Sequence, residues 1–339
     1  MRPLILCALL LLVGVPSSAA TTTSPARVIA FYYPWYGTTA VDSKYEHWNQ
    51  DGHKPPNDIA SAFYPARGIY SSDNRAVVQA QMDEIRAAGI DEIAYSWWGQ
   101  SSPENQRLPM VLAAARANGL QLAIHLEPYP NRTIQSIETD VAYLKNLGIT
   151  SFFVYRALDI PVAQWQAAQP ALHAGGATLY AQTVQVGAAS TAGFDGVYTY
   201  DIVTYGGNMF ARYCAEAHRV HLACLPSVGP GYDARRANGD THVKPRRNGA
   251  TYDAMWKAAV DAQADGVTIT SFNEWHEGTQ IEPAAPHRGK VKYQTYDGAW
   301  GQHGVDAEFA YLFRTLYWSD VFHGVAAASS PQTQVKAKR

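Results

Sequence analysis

Toward the C-terminal third of the chain, the segment Ser271-Phe272-Asn273-Glu274-Trp275-His276-Glu277-Gly278-Thr279-Gln280-Ile281-Glu282-Pro283 sets Glu274 and Glu277 three residues apart. In a tight turn, that spacing lets both carboxyls face one cavity. Each then disfavours ionisation of the other, so that one keeps its proton near neutral pH. A protonated carboxyl beside a carboxylate suits glycoside cleavage. The departing oxygen needs a proton, and an oxocarbenium-like transition state needs a nucleophile or base. The bland alternative is a solvated acidic turn. Phe272 and Trp275 flank the pair and would exclude water, which favours the chemical reading. Spacing alone does not say which glutamate is the acid.

His276 lies between them and opens two further readings, a general base or a metal ligand. A metal site needs several ligands at suitable spacing, and His125, Glu127 and His276 make a thin set. No metal and no cofactor is therefore expected. No GxSxG elbow, phosphate-binding P-loop or GxGxxG follows the first predicted strand, so serine-hydrolase and nucleotide chemistry lack a basis.

The elements that must position these residues are short apolar runs separated by helical patterns. The runs are Arg27–Tyr33, Glu92–Tyr95, Gln121–Leu126, Ser151–Tyr155, Thr178–Gln182, Gly196–Thr199, His221–Leu225 and Val267–Ser271. Helical spacing occupies Asn74–Ala88, with Ser72 or Asp73 as candidate cap and Gly89 past its end. It recurs in Leu108–Asn118, Ile134–Asn146, Gly207–Arg219, Tyr252–Ala264 and Ala307–Tyr317. The Ala- and Gln-rich stretch Pro161–Gly176 is also read as helix. Alternation of strand and helix implies a parallel sheet, and eight repeats imply an α/β fold of the (β/α)8 TIM-barrel type in a single domain, residues 24–325. The strand ends read FYYPWYG, YSWWG, HLEPY, VYRA, QTVQV, YTYD, PSVGPGY and SFNEWHEG. Aromatics, carboxylates and amides gathered at the C-terminal ends of so many strands predict one site on one face of the barrel.

Composition agrees. The 339 residues are 47% hydrophobic with a formal net charge of −2, which argues against nucleic acid or a polybasic membrane surface as partner. Tyrosine (21) and tryptophan (9) together outnumber phenylalanine (10), and rings with a polar edge suit stacking on a ligand where they cluster. Residues 1–20 read as a cleaved signal peptide: Arg2, an apolar run from Leu4 to Val15, Pro16, then the small residues Ser18 and Ala20. The expected mature protein is soluble, without a membrane span, and secreted or periplasmic. Residues 326–339 read as a disordered tail. Cys7 falls in the leader, and the sequence leaves open whether Cys214 and Cys224 pair.

From about Val28 to Pro283 the chain resembles glycoside hydrolase family 99, the endo-α-1,2-mannosidases and endo-α-1,2-mannanases. The resemblance rests on AFYYPWYG, HWN at 47–49, SAFYPARGIYSS at 61–72, HLEPY at 125–129, FDGVYTY at 194–200, LPSVGPGYD at 225–233 and, above all, TSFNEWHEGTQIEP at 270–283. It implies a (β/α)8 fold and endo-acting, retaining hydrolysis of α-mannosides through a 1,2-anhydro sugar. The substrate it implies is an oligo- or polysaccharide such as α-mannan. Carried over, Glu274 would take the proton from the 2-hydroxyl, while Glu277 would protonate the leaving oxygen and then activate water. Tyr33, Trp98, Glu127 and Tyr200 would contact substrate, with Tyr198 an alternative to Tyr200 because period-two geometry puts both on one strand face. Trp35, Trp48 and Trp97 read as framework.

Two stretches depart from the family pattern: DIVTYGG after Tyr200, and Ala234–Asn248. They leave the glycan next to the cleaved residue open. The rival readings are an endo-glycosidase or transglycosidase on another α-glycan and a non-catalytic carbohydrate-binding protein.

Overall fold

A computed structural model describes residues 26–325. The predicted leader at 1–20 and tail at 326–339 lie outside these residues. Eight parallel strands follow one another around a barrel: β1 (Arg27–Tyr32), β2 (Glu92–Trp97), β3 (Gln121–Leu126), β4 (Ser151–Val154), β5 (Thr178–Gln182), β6 (Gly196–Tyr198), β7 (Ala223–Leu225) and β8 (Gly266–Ile269). From β1 to β7 each pairs with the next, and β1 pairs with β8 from Arg27 opposite Gly266 to Ala30 opposite Ile269. Closure occurs at Pro226. With no N–H to give, this residue ends β7, and its carbonyl accepts Thr268 N at 3.2 Å. The chain continues as Ser227–Val228, which pairs with Thr268 and Ile269 of β8.

Side chains alternate between two cores, as the period of a strand requires. Ile29, Phe31 and Tyr33 point into the barrel with Ala94, Ala123, Phe153, Tyr180, Tyr198, Tyr200 and Leu225. Val28, Ala30 and Tyr32 point outward into the layer shared with the helices. At the N-terminal end of the barrel, Arg27 reaches Glu92 at 2.8 Å and the Tyr180 hydroxyl at 2.9 Å. That end is filled, and only the opposite face is left for a cleft.

The outer helices are α1 (Arg75–Ala87), α2 (Pro103–Ala117), α3 (Ile134–Asn146), α4 (Val162–His173), α5 (Val186–Ala192), α6 (Phe210–Arg219), α7 (Ala250–Asp261) and α8 (Ala310–Phe322). Several boundaries correct the reading of the sequence. Asn74 caps α1, accepting from Ala76 N and Val77 N, in place of Ser72 or Asp73. Helix α2 starts at Pro103, earlier than expected, because Ser102 accepts Asn105 N and proline tolerates the first turn. A break at Phe309 separates a short turn, Val305–Glu308, from α8. Cys214 of α6 and Cys224 of β7 form a disulfide, their Cα atoms 5.1 Å apart.

Candidate active site

The turn after β8 is held from several sides. Ser271 Oγ accepts Glu274 N at 2.8 Å and shares a hydrogen bond with Thr279 Oγ1 at 2.9 Å. Tyr36 gives its hydroxyl proton to the carbonyl of Asn273 and accepts Trp275 N, at 3.1 and 3.0 Å. Gly278 turns the chain with φ +62°, and a Cβ there would stand 3.0 Å from the Asp233 carbonyl, so only glycine fits. Below the turn, the fully buried Glu282 accepts from Tyr70 OH (2.7 Å), Gln81 Nε2 (2.8 Å), Trp275 Nε1 (2.9 Å) and Arg67 Nε (3.0 Å). Here the acidic side chain is structural: its charge is answered by a guanidinium and three neutral donors, and it locks the Trp275 indole.

Glu274 and Glu277 have no such partners. Glu274 is buried, and burial followed by the charge of Glu277 pushes its pKa well up. The peptide N–H groups of His276 and Glu277 oppose that rise, the first donating to Glu274 Oε1 at 3.0 Å. Glu277 is pushed up to about 8 by burial and by the charges of Asp201, Glu127 and Asp240. Burial and neighbouring acids favour the neutral form of both, so the pair is suited to hold one proton between them.

The other four residues singled out from the sequence meet at the same mouth. The hydroxyls of Tyr33 and Tyr200 share a hydrogen bond. Asn273 holds Tyr33 in place, accepting its N–H at 2.7 Å and donating to its carbonyl at 3.0 Å. Tyr200 sits at φ +58°, with Ser227 Oγ accepting its N–H and Thr270 Oγ1 donating to its carbonyl. The charges of Glu127, Glu274 and Glu277 all raise the pKa of both phenols, after burial for each, so the three carboxyls lie within electrostatic reach of this pair. Tyr198 lies deeper, fully buried, against His125 Nε2 at 3.1 Å. Trp98 is half-buried and donates its indole N–H to Ser96 Oγ at 3.2 Å, and Ser96 donates to Glu127 Oε1 at 2.8 Å. A single hydroxyl thus joins the Trp98 ring to the Glu127 carboxylate.

His276 belongs to the wall. Its Nε2 donates to the His47 carbonyl at 2.8 Å, burial lowers its pKa to about 4, and Nδ1 stands 3.6 Å from Glu274. His47 stacks on Trp35, with ring centroids 4.5 Å apart. Trp48 and Trp97 are buried and donate to the Tyr70 carbonyl and Asn105 Oδ1. Trp35 is only half-buried beside Tyr33, and its indole N–H has no partner. Among the described residues, no group of three or more His, Cys, Asp or Glu is placed to hold a metal ion, and no helix is long and apolar enough to cross a membrane.

The sequence reading did not single out the far wall. A cavity of about 280 Å³ opens beside Glu277, lined by Tyr155, Tyr200, Asp201, Tyr232, Asp240 and His242 among others. Tyr155, Asp201 and Tyr232 stand within the strand-end motifs VYRA, YTYD and PSVGPGY, which was the available signal. Asp240 and His242 lie in the loop whose sequence departs from the expected pattern.

The glycosyl hydrolase family 99 model matches residues 24–324. The chain belongs to that family. A glycoprotein endo-α-1,2-mannosidase of Rattus norvegicus is 32% identical over 87% of this chain and 74% of its own length. A glycoprotein endo-α-1,2-mannosidase-like protein of Homo sapiens is 30% identical over 76% of this chain and 69% of its own. Among solved structures, the family 99 endo-α-mannosidase of Bacteroides thetaiotaomicron superposes with a TM-score of 0.79 at 31% identity, covering 89% of this chain and 99% of that one. The protein is thus a family 99 glycoside hydrolase, homologous to endo-α-1,2-mannosidases and built on the (β/α)8 barrel expected from its sequence.

Proposed function

We propose that this hydrolase is exported and cuts internal α-1,2-mannosidic linkages of a mannan or mannose-containing glycan with retention, through a 1,2-anhydro sugar. Glu274, as carboxylate, takes the proton of the 2-hydroxyl on the sugar to be cleaved. The freed oxygen attacks C1 of the same ring, the C1–O bond breaks, and Glu277 gives its proton to the departing oxygen. The shortened glycan leaves with a new hydroxyl. Glu277, now a carboxylate, removes a proton from water, whose oxygen opens the epoxide at C1 while Glu274 returns its proton to O2. Two inversions give net retention, and both carboxyls end as they began. Tyr33 and Tyr200 donate to oxygen atoms that gain charge, and Trp98 and Glu127 hold the sugar on the other flank.

The observation that carries this reading is that both carboxyls spring from one turn of the chain. A nucleophile and an acid must straddle a glycosidic bond from opposite faces. Neighbours on one turn are better suited to a base at O2 and an acid at the adjacent glycosidic oxygen. Export is supported by the leader-like residues 1–20 and by the Cys214–Cys224 disulfide, a bond of oxidising compartments.

A second reading keeps the chemistry and changes the glycan. Asp201, Asp240 and His242 wall the cavity from loops that depart from the family pattern, which favours a different residue on the leaving side. Incubation with yeast-type α-mannan decides between them. Mannose-containing oligosaccharides should appear, Glu277→Gln should not release them, and Glu274→Gln should lose roughly two or more orders of magnitude in rate. Turnover of another α-glycan but not of mannan selects the second reading. Near-wild-type activity in Glu274→Gln removes the assigned base.

A further inference from the structure

Arg246 stands just beyond the short ribbon in which Tyr232–Asp233 pairs antiparallel with Val243–Lys244. Its guanidinium is inserted among three aromatic rings, 4.5 Å from the centroid of Phe63, 4.7 Å from Tyr296 and 4.6 Å from Tyr311. Nη2 donates to two carbonyls, Gly278 at 2.9 Å and Gln280 at 2.7 Å. Nε and Nη1 are buried without a hydrogen-bond partner, and among the described residues no carboxylate pairs with the group.

The three rings stabilise the guanidinium by cation–π attraction, while Nε and Nη1 are left without a hydrogen-bond acceptor. The direction of the one engaged nitrogen indicates a further use. Gly278 follows Glu277 directly, and the Glu277 carbonyl itself accepts the N–H of Asp233 at 2.7 Å. The two donors come from opposite sides of the same ribbon. Gly231 brings the chain into that ribbon so closely that a Cβ there would stand 2.7 Å from Arg246 Cγ. One amide and one guanidinium therefore grip consecutive carbonyls, that of Glu277 and the next.

We propose that Arg246 is a positioning residue for proton transfer: it fixes the Glu277–Gln280 backbone so that the Glu277 carboxyl meets the departing oxygen. This rests on the reading of Glu277 as proton donor. A displacement of about 1 Å at a reacting group costs roughly 100-fold in rate, so a loosened grip is felt in the chemical step.

The test uses Arg246→Met, Arg246→Lys and Glu277→Gln in the full-length protein on two substrates. One is α-mannan. The other is an α-mannobiosyl fluoride, whose fluoride departs without a proton. For Arg246→Met, kcat on mannan should fall roughly 10- to 100-fold with KM nearly unchanged, kcat/KM on the fluoride should fall much less, and the protein should remain folded. Arg246→Lys, which keeps the charge but not the fork, should show the same pattern more weakly. Glu277→Gln should share the preference for fluoride. Equal losses on both substrates, or no loss, in folded Arg246 variants overturn the proposal, as does failure of both variants to fold, which would make Arg246 a determinant of the fold. Should Glu277→Gln itself keep its mannan activity, the reading of Glu277 as proton donor fails instead.

Discussion

The hydroxyls of Tyr33 and Tyr200 meet in one hydrogen bond at the barrel mouth, although 167 residues separate them in the chain. Two hydroxyls joined by a single bond leave one O–H proton free for a third partner. Three carboxyls lie within electrostatic reach of the pair, and burial together with their charges keeps both phenols neutral, hence able to donate. The free proton is directed at whatever oxygen gains negative charge there.

Tyr200→Phe should therefore lower kcat by roughly 10- to 100-fold through loss of a preorganised donor, while the circular dichroism spectrum stays that of the parent. A kcat within twofold of the parent would place the pair outside the chemistry.

The acid must carry its proton in the free enzyme, and Glu277 is pushed up to about 8. Activity that depends on it is present below that value and declines as pH rises through it. After burial, the charge of Asp201 does most to raise Glu277. Removing it in Asp201→Asn lets Glu277 lose its proton more readily, so the alkaline limb of the kcat/KM profile should move toward acid. An unmoved limb, or one displaced toward alkali, contradicts the assignment of the acid.

Glu282 accepts four hydrogen bonds in full burial, one of them from Arg67. Glu282→Gln replaces an acceptor by a donor that faces other donors and leaves Arg67 with Glu84 as its remaining carboxylate partner. The expected cost is about 2–4 kcal/mol, measured by urea unfolding. Unchanged stability would show that Glu282 is not an anchor of the turn.

The disulfide closes a short loop, with a sequence separation of 10 residues. Chain entropy predicts about 2–3 kcal/mol of stabilisation. Paired Cys214→Ala and Cys224→Ala substitution should lower the melting temperature and leave KM unchanged, since neither side chain approaches the cleft. A changed KM would tie α6 to substrate binding.

The barrel could be read from the sequence because its strands are buried on both faces and appear as apolar runs, and their ends fell within a few residues of expectation. Helix α5, Val186–Ala192, was not foreseen: seven residues of alanine, glycine, serine, threonine and valine carry too little periodicity. At α1 the cap lies one residue past the two expected candidates, Ser72 and Asp73: three residues able to cap stand in a row, and only the fold chooses Asn74. In the site, Glu127, Glu274 and Glu277 stood out as acids at strand ends. Asp240 and Arg246 did not, because their meaning depends on a ribbon that folds back over the turn after β8. In the sequence, Arg246 is one cation within a basic stretch, and nothing local announces its burial among Phe63, Tyr296 and Tyr311.

Asn273 exchanges two hydrogen bonds with the backbone of Tyr33, and β1 finds its second neighbour only in β8. A nascent chain still lacking its final quarter has therefore made the tyrosine without the amide that orients it. Competence should arrive all at once, when the last strand seals the ring and brings Asn273, Glu274 and Glu277 with it. The same dependence makes the amide of Tyr33 a reporter: its hydrogen exchange should be as slow as that of β8, and faster exchange would mean that the two ends of the barrel part company before the rest of the molecule opens.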